Sequence, residues 1–400
     1  GSHAYSDVVQ NTAPMPRIER NEDNIYMLYT GGTTGMPKGV MYTHGGFVNS
    51  MLKTLKGMGV DVPDELADIK DTILNLHENG QLAKSFVACP LMHGTGMWLG
   101  GFLSHLLGGC VVTTPNLGLD TQLLWKEVER VGITNIIIVG DSFAKPMVKE
   151  LDRAVAENKP YNLETLKLIY SSGVMFSADV KASLLDHHDM VLMDAMGSSE
   201  GGMGSSVSTR ADGAATAKFR LNPGVVVVSD EGEEVIPGSG VRGLIGTSGL
   251  VPEGYYKDKE KSDATFKEFN GTRYSFPGDY ALVEADGTIT LLGRGSNCIN
   301  SAGEKIYPEE VEEALKLNSN VYDSLVVGLP DERFGNKVVG VVSLAENCEI
   351  DEAELISSTR EHLSGYKLPK SIIFVSEVMR APNGKADYKW AKKVAEAELI

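Results

Sequence analysis

A segment rich in glycine and hydroxyl side chains lies near the start of the chain, at residues 29–40. Glycines allow backbone N–H groups to point into a concavity without Cβ clashes, hydroxyls donate to phosphate oxygens, and a lysine supplies a positive charge. The groups in this segment that could do so are Thr30, Gly31, Gly32, Thr33, Thr34, Gly35 and Lys38. The segment therefore predicts a loop that binds a polyphosphate.

The spacing in this loop is not that of a Walker A motif. Lys38 is in register with Gly32, but Pro37 and Gly39 stand where Walker A has glycine and a hydroxyl residue. The loop instead resembles the signature loop of the adenylate-forming (AMP-binding) superfamily, which includes acyl-CoA synthetases, peptide-synthetase adenylation domains and firefly luciferase. Gly32 stands where that family usually has serine.

A second segment, 193–201, follows a predicted strand and has two interpretations. Gly197, Ser199 and Gly201 match the nucleophile elbow of serine hydrolases. A catalytic triad would then need a histidine farther along the chain, and the histidine that follows is His362, inside a predicted helix. The hydrolase interpretation also leaves the loop at 29–40 unexplained, but it remains an alternative.

The other interpretation is that this segment resembles the Tyr-Gly-x-Thr-Glu motif of the adenylate-forming enzymes. The resemblance implies that Glu200 helps to hold Mg²⁺ on the phosphates and that Ser199 keeps the hydroxyl contact made by threonine. Met196 stands where the family has an aromatic residue, and its thioether could pack against adenine. The nucleotide-binding residues implied here are Asp194, Ala195, Met196, Gly197, Ser198 and Ser199.

Motifs in the second half of the chain resemble the same family in the same order. A carboxylate can accept both hydroxyls of a ribose, and the resemblance gives this role to Asp279. Arg294 would reach ribose and phosphate, and Ser296 falls at the position of the hinge between domains. Two glycines are implied at the site, Gly173 and, for the second half-reaction, Gly303.

The residues expected to act in catalysis follow from the same resemblance. Lys385, in Pro-Asn-Gly-Lys, would bridge the acyl carboxylate and the α-phosphate, because a mobile cation can neutralise charge in the transition state. His93 would lie at the gate between the acyl pocket and the thiol channel, although alone it reads as an ordinary histidine at a helix start. The catalytic residues implied are Thr34, His93, Glu200 and Lys385, with Glu200 also at the metal.

The pattern of elements predicts an α/β protein with a small mobile C-terminal domain. Strands and helices alternate up to about residue 200, which indicates a largely parallel sheet, and residues 61–84 read as an irregular insertion. Antiparallel strands at about 205–293 indicate a small β-barrel or sheet, so that 1–293 forms the large domain. A hinge is expected at 294–297 and an α+β domain at 298–400.

Composition limits the partners of the protein. The formal charge of −17 argues against nucleic acid, whose phosphates would be repelled. The four cysteines form no CxxC pair, and no run of eighteen apolar residues appears, so we expect a cytoplasmic protein without integral membrane association. A homo-oligomer is one option. The opening Gly-Ser-His-Ala is interpreted as a cloning remnant.

The phosphate loop begins after some thirty residues, whereas the resembling family has a substantial part of the large domain before it. We therefore expect exposed apolar surface, or an intermolecular contact, where that part would pack.

Together the motifs imply an ATP-dependent, AMP-forming acyl-CoA synthetase that uses ATP, Mg²⁺ and coenzyme A on a hydrophobic carboxylic acid. The runs 140–146, 170–173 and 254–258 look most similar to actinobacterial ligases for steroid side chains and fatty acids. Three alternatives stay open: an adenylating ligase that loads a carrier protein, a serine hydrolase acting through Ser199, and a nucleotide-binding fragment without turnover.

Overall fold

The computed structural model describes residues 4–30, 37–116, 118–213, 218–381 and 383–399. The strands are β1 (Ile25–Thr30), β2 (Lys38–Thr43), β3 (Lys84–Val87), β4 (Cys110–Val112), β5 (Asn135–Ile138), β6 (Leu168–Ser172), β7 (Val191–Ser198), β8 (Gly201–Ser208), β9 (Lys218–Leu221), β10 (Val225–Val228), β11 (Arg242–Thr247), β12 (Gly254–Tyr255), β13 (Phe266–Phe269), β14 (Thr272–Ser275), β15 (Asp279–Val283), β16 (Thr288–Arg294), β17 (Ile299–Ser301), β18 (Glu304–Ile306), β19 (Val321–Asp331), β20 (Gly335–Leu344) and β21 (Ser371–Val375). The helices are α1 (Tyr5–Asn11), α2 (His44–Gly57), α3 (Ile69–Glu78), α4 (Leu103–Leu106), α5 (Thr121–Glu127), α6 (Asp141–Ala156), α7 (Ala178–His187), α8 (Lys259–Thr265), α9 (Pro308–Lys316), α10 (Glu352–Thr359) and α11 (Tyr388–Leu399).

A parallel sheet forms the centre of the large domain, in the order β4-β3-β5-β6-β7. The run Ile136–Ile138 is fully buried because both faces of its strand are covered. The predicted alternation of strands and helices is confirmed, and it matters for the site because parallel strands end at one edge of the sheet. Gly173 and Ser199 follow two neighbouring strands, β6 and β7, at that edge.

The antiparallel strands predicted at about 205–293 are present, and they continue the same sheet. β8 pairs with β7, and the path continues through β9, β16, β15, β11, β14 and β13 in the same sheet, with β10 beside β11. Among the described strands these pairings do not close into a barrel. Met196, Met203, Phe219 and Ile245 pack together in a core of their own on this part of the sheet.

The predicted phosphate loop joins two paired strands. β1 and β2 are antiparallel, with Thr30 opposite Lys38, and β12 pairs with the other side of β2. Residues 31–36 lie outside the described residues, and with them the predicted positions Gly31, Gly32, Thr33, Thr34 and Gly35. Thr30 and Lys38 are thus held at the two bases of the loop.

Two stretches differ from the sequence-based expectation. The segment at 61–84 contains helix α3, because Ile69, Ile73 and Leu76 recur at helical spacing, and two of them, Ile69 and Leu76, pack against the large-domain core. The helix expected after His93 begins as a π-helical segment, Thr95–Phe102, before α4. A Cβ on Gly96 would come within 2.4 Å of the Pro90 carbonyl oxygen, so glycine is required for this close approach.

The C-terminal part has its own sheet and core. β19 and β20 are antiparallel, β20 and β21 are parallel, and α9 and α11 pack on this sheet. Pro308 begins α9, with Glu309 and Glu310 in the first turn near the positive end of the helix dipole. The buried residues Val311, Leu315 and Val326 belong to a cluster distinct from the large-domain core. The hinge at 294–297 and the domain limits stay predictions.

Candidate active site

Glu200 lies in the turn that joins β7 to β8, and both its carboxylate and the backbone of the turn are held by hydrogen bonds. The side chain is buried, and Oε1 accepts a hydrogen bond of 2.7 Å from the Tyr255 hydroxyl. The backbone N–H of Glu200 donates to Ser198 Oγ, and the carbonyl of Ser199 accepts a 2.7 Å bond from the Tyr42 hydroxyl. The turn is therefore rigid, and the hydrogen bond from Tyr255 leaves Oε2 for another partner.

Lys38 lies next to this turn. Its Nζ is 5.1 Å from the centroid of the Tyr255 ring, within the range of a cation–π contact. The pKa of Lys38 is lowered, first by partial burial and then by Lys261, while the Glu200 carboxylate acts in the opposite direction. The predicted phosphate lysine and the predicted metal carboxylate are thus neighbours across one tyrosine ring.

Asp279 and Arg294 stand opposite each other on β15 and β16. Arg294 Nε is 3.2 Å from Asp279 Oδ1, whereas Oδ2 is buried and has no hydrogen-bond partner among the described residues. Burial raises the pKa of Asp279, and the charge of Arg294 opposes this shift. An unpartnered carboxylate oxygen beside an arginine suits a ligand that carries hydroxyls and a negative charge, as a nucleotide does.

Lys385 extends from the loop before α11 toward these residues. The pKa of Lys385 is lowered, first by partial desolvation and then by Arg294, and is raised by the carboxylates of Glu200 and Asp279. The residue remains exposed to solvent overall. Glu200, Asp279, Arg294 and Lys385 are close enough for their charges to act on one another. They lie where the loop of Lys385 meets the large part of the chain through Asn383 and Gly384, and this region is called the cleft.

The same loop also contacts the predicted gate residue. Asn383 Nδ2 is 3.1 Å from His93 Nε2, which makes Nε2 the acceptor and places the ring proton on Nδ1. The pKa of His93 is lowered by partial burial and then by the charge of Lys385. Gly384, with φ of +79°, packs against Ser142 and Phe143 at the start of α6. The structure therefore brings His93 close to the loop that carries Lys385.

Two predicted nucleotide-binding side chains are directed into the protein instead. Asp194 is buried, with its carboxylate 3.5 Å from Lys181 Nζ, and burial raises its pKa to about 7. Met196 packs in the core of the antiparallel strands, so its side chain is not exposed for the expected contact with adenine. Both lie on one face of β7 because strand side chains alternate; Ala195 and Gly197 lie on the other, more accessible face.

The remaining predicted positions are spread around the cleft. Gly173, with φ of +95°, follows β6, and a Cβ there would be 3.7 Å from Thr95 Oγ1. Ser296 is exposed in the short 3₁₀ turn Gly295–Asn297. Gly303 lies at the exposed turn between β17 and β18, with open space where a Cβ would be, so this structure does not pack it against the site.

The hydrolase alternative finds no support in this geometry. Within the described parts of the chain, no hydrogen bond joins Ser199 to a histidine. His362 lies in an exposed turn after α10 rather than inside the predicted helix, and its backbone N–H bonds to Thr359. A serine nucleophile needs a histidine within hydrogen-bond reach, and His362 does not provide it.

Three site residues were not predicted from the sequence: Tyr42, Tyr255 and Asn383. Tyr255 belongs to the run 254–258, which resembles the ligases for steroid side chains and fatty acids but does not by itself indicate a site residue. Asn383 lies two residues before Lys385 in the motif already noted. A buried tyrosine needs a hydrogen-bond partner, but the pattern around it does not say which one.

No group of three or more His, Cys, Asp or Glu side chains that could hold a metal occurs in the part of the chain that the structure describes. Mg²⁺ is commonly bound through one or two carboxylates together with substrate phosphates. Glu200 beside the phosphate-loop strands fits that arrangement.

The fold has a large α/β part and a smaller C-terminal part with a hydrophobic core of its own. Residues 2–256 match the family of AMP-binding enzymes, and residues 310–385 match the C-terminal domain of AMP-binding enzymes. The chain belongs to this family, and the resemblance seen in the sequence is confirmed. The enzyme class expected from it, an acid–thiol ligase that uses ATP, Mg²⁺ and coenzyme A, is confirmed as well.

Similar proteins include several ligases of actinobacteria. The chain is 41% identical over 405 residues to a 3-oxocholest-4-en-26-oate–CoA ligase of Rhodococcus rhodochrous. The aligned region covers 98% of this chain and 70% of that protein. It is 35% identical to the medium-chain acyl-CoA ligase Mig of Mycobacterium avium, covering 99% and 71%. In fold it resembles ATP-bound MatB from Rhodopseudomonas palustris, with a TM-score of 0.78, 21% identity and coverage of 99% and 73%.

None of the described helices has the length and apolar character needed to span a bilayer.

Proposed function

We propose that the protein is an AMP-forming acyl-CoA synthetase that activates a bulky hydrophobic carboxylic acid as its acyl-adenylate and transfers the acyl group to coenzyme A. The observation that carries the proposal is the contact of Arg294 with Asp279, whose second oxygen is buried without a hydrogen-bond partner among the described residues, with Lys385 on the loop that contacts His93. A carboxylate at neutral pH is a poor electrophile, so it must be activated before a thiol can attack it. Adenylation provides that activation.

In the first half-reaction, the substrate carboxylate attacks the α-phosphate of ATP and pyrophosphate leaves. The buried oxygen of Asp279 accepts the ribose hydroxyls, and Arg294 contacts ribose and phosphate. Lys385 places its ammonium between the carboxylate and the α-phosphate, where negative charge accumulates. Glu200 would hold Mg²⁺, which, when bound, supplies positive charge to the phosphates.

In the second half-reaction, the thiolate of coenzyme A attacks the acyl carbon and AMP leaves with the bonding electrons. Lys385 and Asn383 occupy the cleft in this structure, so the thiol needs a different arrangement. The small domain rotates about Ser296, which is exposed beside Gly295 and can absorb a change in backbone angles. The exposed turn at Gly303 then enters the cleft.

The acyl substrate belongs to the steroid side-chain or medium- and long-chain fatty acids. The support is the similarity to ligases named for such acids, at 41% identity over nearly the whole chain. We propose a cytoplasmic protein, and its oligomeric state is to be measured.

The test is a turnover assay with purified protein, MgATP and a panel of acids that includes 3-oxocholest-4-en-26-oate, dodecanoate and acetate. We expect AMP and pyrophosphate to form with the hydrophobic acids, and acyl-CoA to form when coenzyme A is added. Adenylate without acyl-CoA would favour a carrier-protein acceptor. Ester cleavage without ATP, together with fluorophosphonate labelling of Ser199, would favour the hydrolase. ATP binding with no product from any acid would favour a fragment without turnover.

A further inference from the structure

Tyr255 is a buried residue on a very short strand beside the phosphate-loop hairpin. It is 4% exposed and pairs with Val40 of β2 through the antiparallel contact of β12. Its backbone N–H donates to Ser262 Oγ at 2.8 Å, and its ring packs against Phe266 with centroids 5.2 Å apart. The ring is therefore fixed in position by neighbours on three elements.

Two charged side chains meet this one ring. The hydroxyl donates to Glu200 Oε1 at 2.7 Å, and the ammonium of Lys38 lies 5.1 Å from the ring centroid. The Tyr255 hydroxyl is the donor in this hydrogen bond, because a carboxylate oxygen accepts. A hydrogen bond to an ionised acceptor is stronger than a neutral one, and the face of an aromatic ring attracts a cation.

A purely structural tyrosine would need only some acceptor for its hydroxyl. Here the acceptor is the carboxylate in the turn after β7, and the cation is the lysine at the base of the phosphate loop. The two groups come from segments more than 150 residues apart, and Tyr255 is the described residue that contacts both. Its contacts set the separation and orientation of the two charges.

We propose that Tyr255 is a positioning residue: it holds the carboxylate of Glu200 toward the metal and the ammonium of Lys38 toward the phosphates, so that metal and nucleotide bind cooperatively. The inference rests on the proposed function, because it assigns the metal and phosphate roles to these two residues. The hydroxyl acts on Glu200 and the ring acts on Lys38. The two actions can therefore be separated by substitution.

The experiment compares Tyr255→Phe, Tyr255→Leu and the control Tyr256→Phe, an exposed neighbour in the same run. Titration calorimetry with a non-hydrolysable ATP analogue, with and without Mg²⁺, gives the factor by which the metal tightens nucleotide binding. Tyr255→Phe should lower this factor by roughly tenfold, the size expected for one hydrogen bond to a charged acceptor, and should change metal-free binding less than about twofold. Tyr255→Leu should also weaken metal-free binding, because the ring under Lys38 is lost.

A combination with Glu200→Gln tests the route of the effect. If Tyr255 acts through Glu200, then Tyr255→Phe in the Glu200→Gln background should produce little further change in the metal factor. An unchanged metal factor in Tyr255→Phe, or an equal loss with and without metal, would overturn the inference. Should Tyr255→Phe not fold, 3-fluorotyrosine at position 255 alters the hydroxyl while keeping the shape, and a metal factor insensitive to it overturns the inference too. Failure of wild-type protein to bind the analogue would instead count against the proposed function.

Discussion

Gly384→Ala should separate the two half-reactions, because Gly384 is where the Lys385 loop docks on the large domain. A Cβ at this position would lie 2.5 Å from Ser142 Oγ and 3.2 Å from Phe143 Cε2. Ser142 Oγ donates to the Val139 carbonyl at 2.8 Å, so it cannot turn away without losing that bond. The docked arrangement is therefore disfavoured by the added methyl group.

The size of the effect follows from the type of contact. Overpacking costs roughly 1–3 kcal/mol, which corresponds to an about 5- to 150-fold smaller docked population. Gly384 also has φ of +79°, and an alanine in that region costs about 1–2 kcal/mol. That second cost applies whether or not the loop is docked, so it lowers stability more than it changes the docked fraction.

The assay measures pyrophosphate release from ATP and acid, and separately acyl-CoA formation from supplied acyl-adenylate. We expect Gly384→Ala to slow the first by the factor above and to leave the second nearly unchanged. Ser142→Ala removes the oxygen that the new methyl group meets, so the double variant should recover most of the lost adenylation. Undiminished adenylation in Gly384→Ala, or a loss that Ser142→Ala does not relieve, would refute the docking argument.

Three further predictions concern charge. Lys385→Ala should lower pyrophosphate release while leaving thioester formation from supplied acyl-adenylate mostly intact; equal losses would remove its special role. Lys149→Ala breaks an exposed ion pair with Glu346 across the two parts of the chain, and should change either half-reaction less than about fivefold. The pKa of Asp194 is raised to about 7, so between about pH 4 and pH 7 the folded state keeps a proton that the unfolded state has lost. The free energy of unfolding therefore falls as pH rises through this range. The melting temperature of Asp194→Asn should therefore fall less than that of wild type between pH 5 and pH 7.5. An equal fall in both proteins would contradict this.

Much of the fold could be predicted because its signals are local. A continuous β-branched run is typical of a buried strand such as β5, and a proline followed by two glutamates is typical of a helix start such as that of α9. The helix α3 was missed because its polar residues outweighed three apolar ones at helical spacing. The antiparallel strands at about 205–293, predicted as a barrel or a sheet, continue the parallel sheet without closing. The pairing of β9 with β16 that builds this part joins distant segments, so no local pattern specifies it.

In the site, too, some features follow from local sequence and others depend on the tertiary structure. The identities of Glu200, Asp279, Arg294 and Lys385 followed from motifs that are contiguous in the chain. The burial of Asp194 and Met196 did not, because a motif aligned by letters does not state which strand face meets the core. The alternation along β7 directs them away from the accessible face that Ala195 occupies.

By itself, the sequence determined the enzyme class, since the phosphate loop, the acidic turn and the C-terminal lysine are short motifs whose chemistry depends on neighbouring residues. Only the tertiary structure decided which groups hold them in place. The hydroxyl of Tyr255 reaches Glu200 across 55 residues, and Asn383 reaches His93 across 290. Such contacts arise when separate segments pack together, and no local pattern of residues encodes their partners.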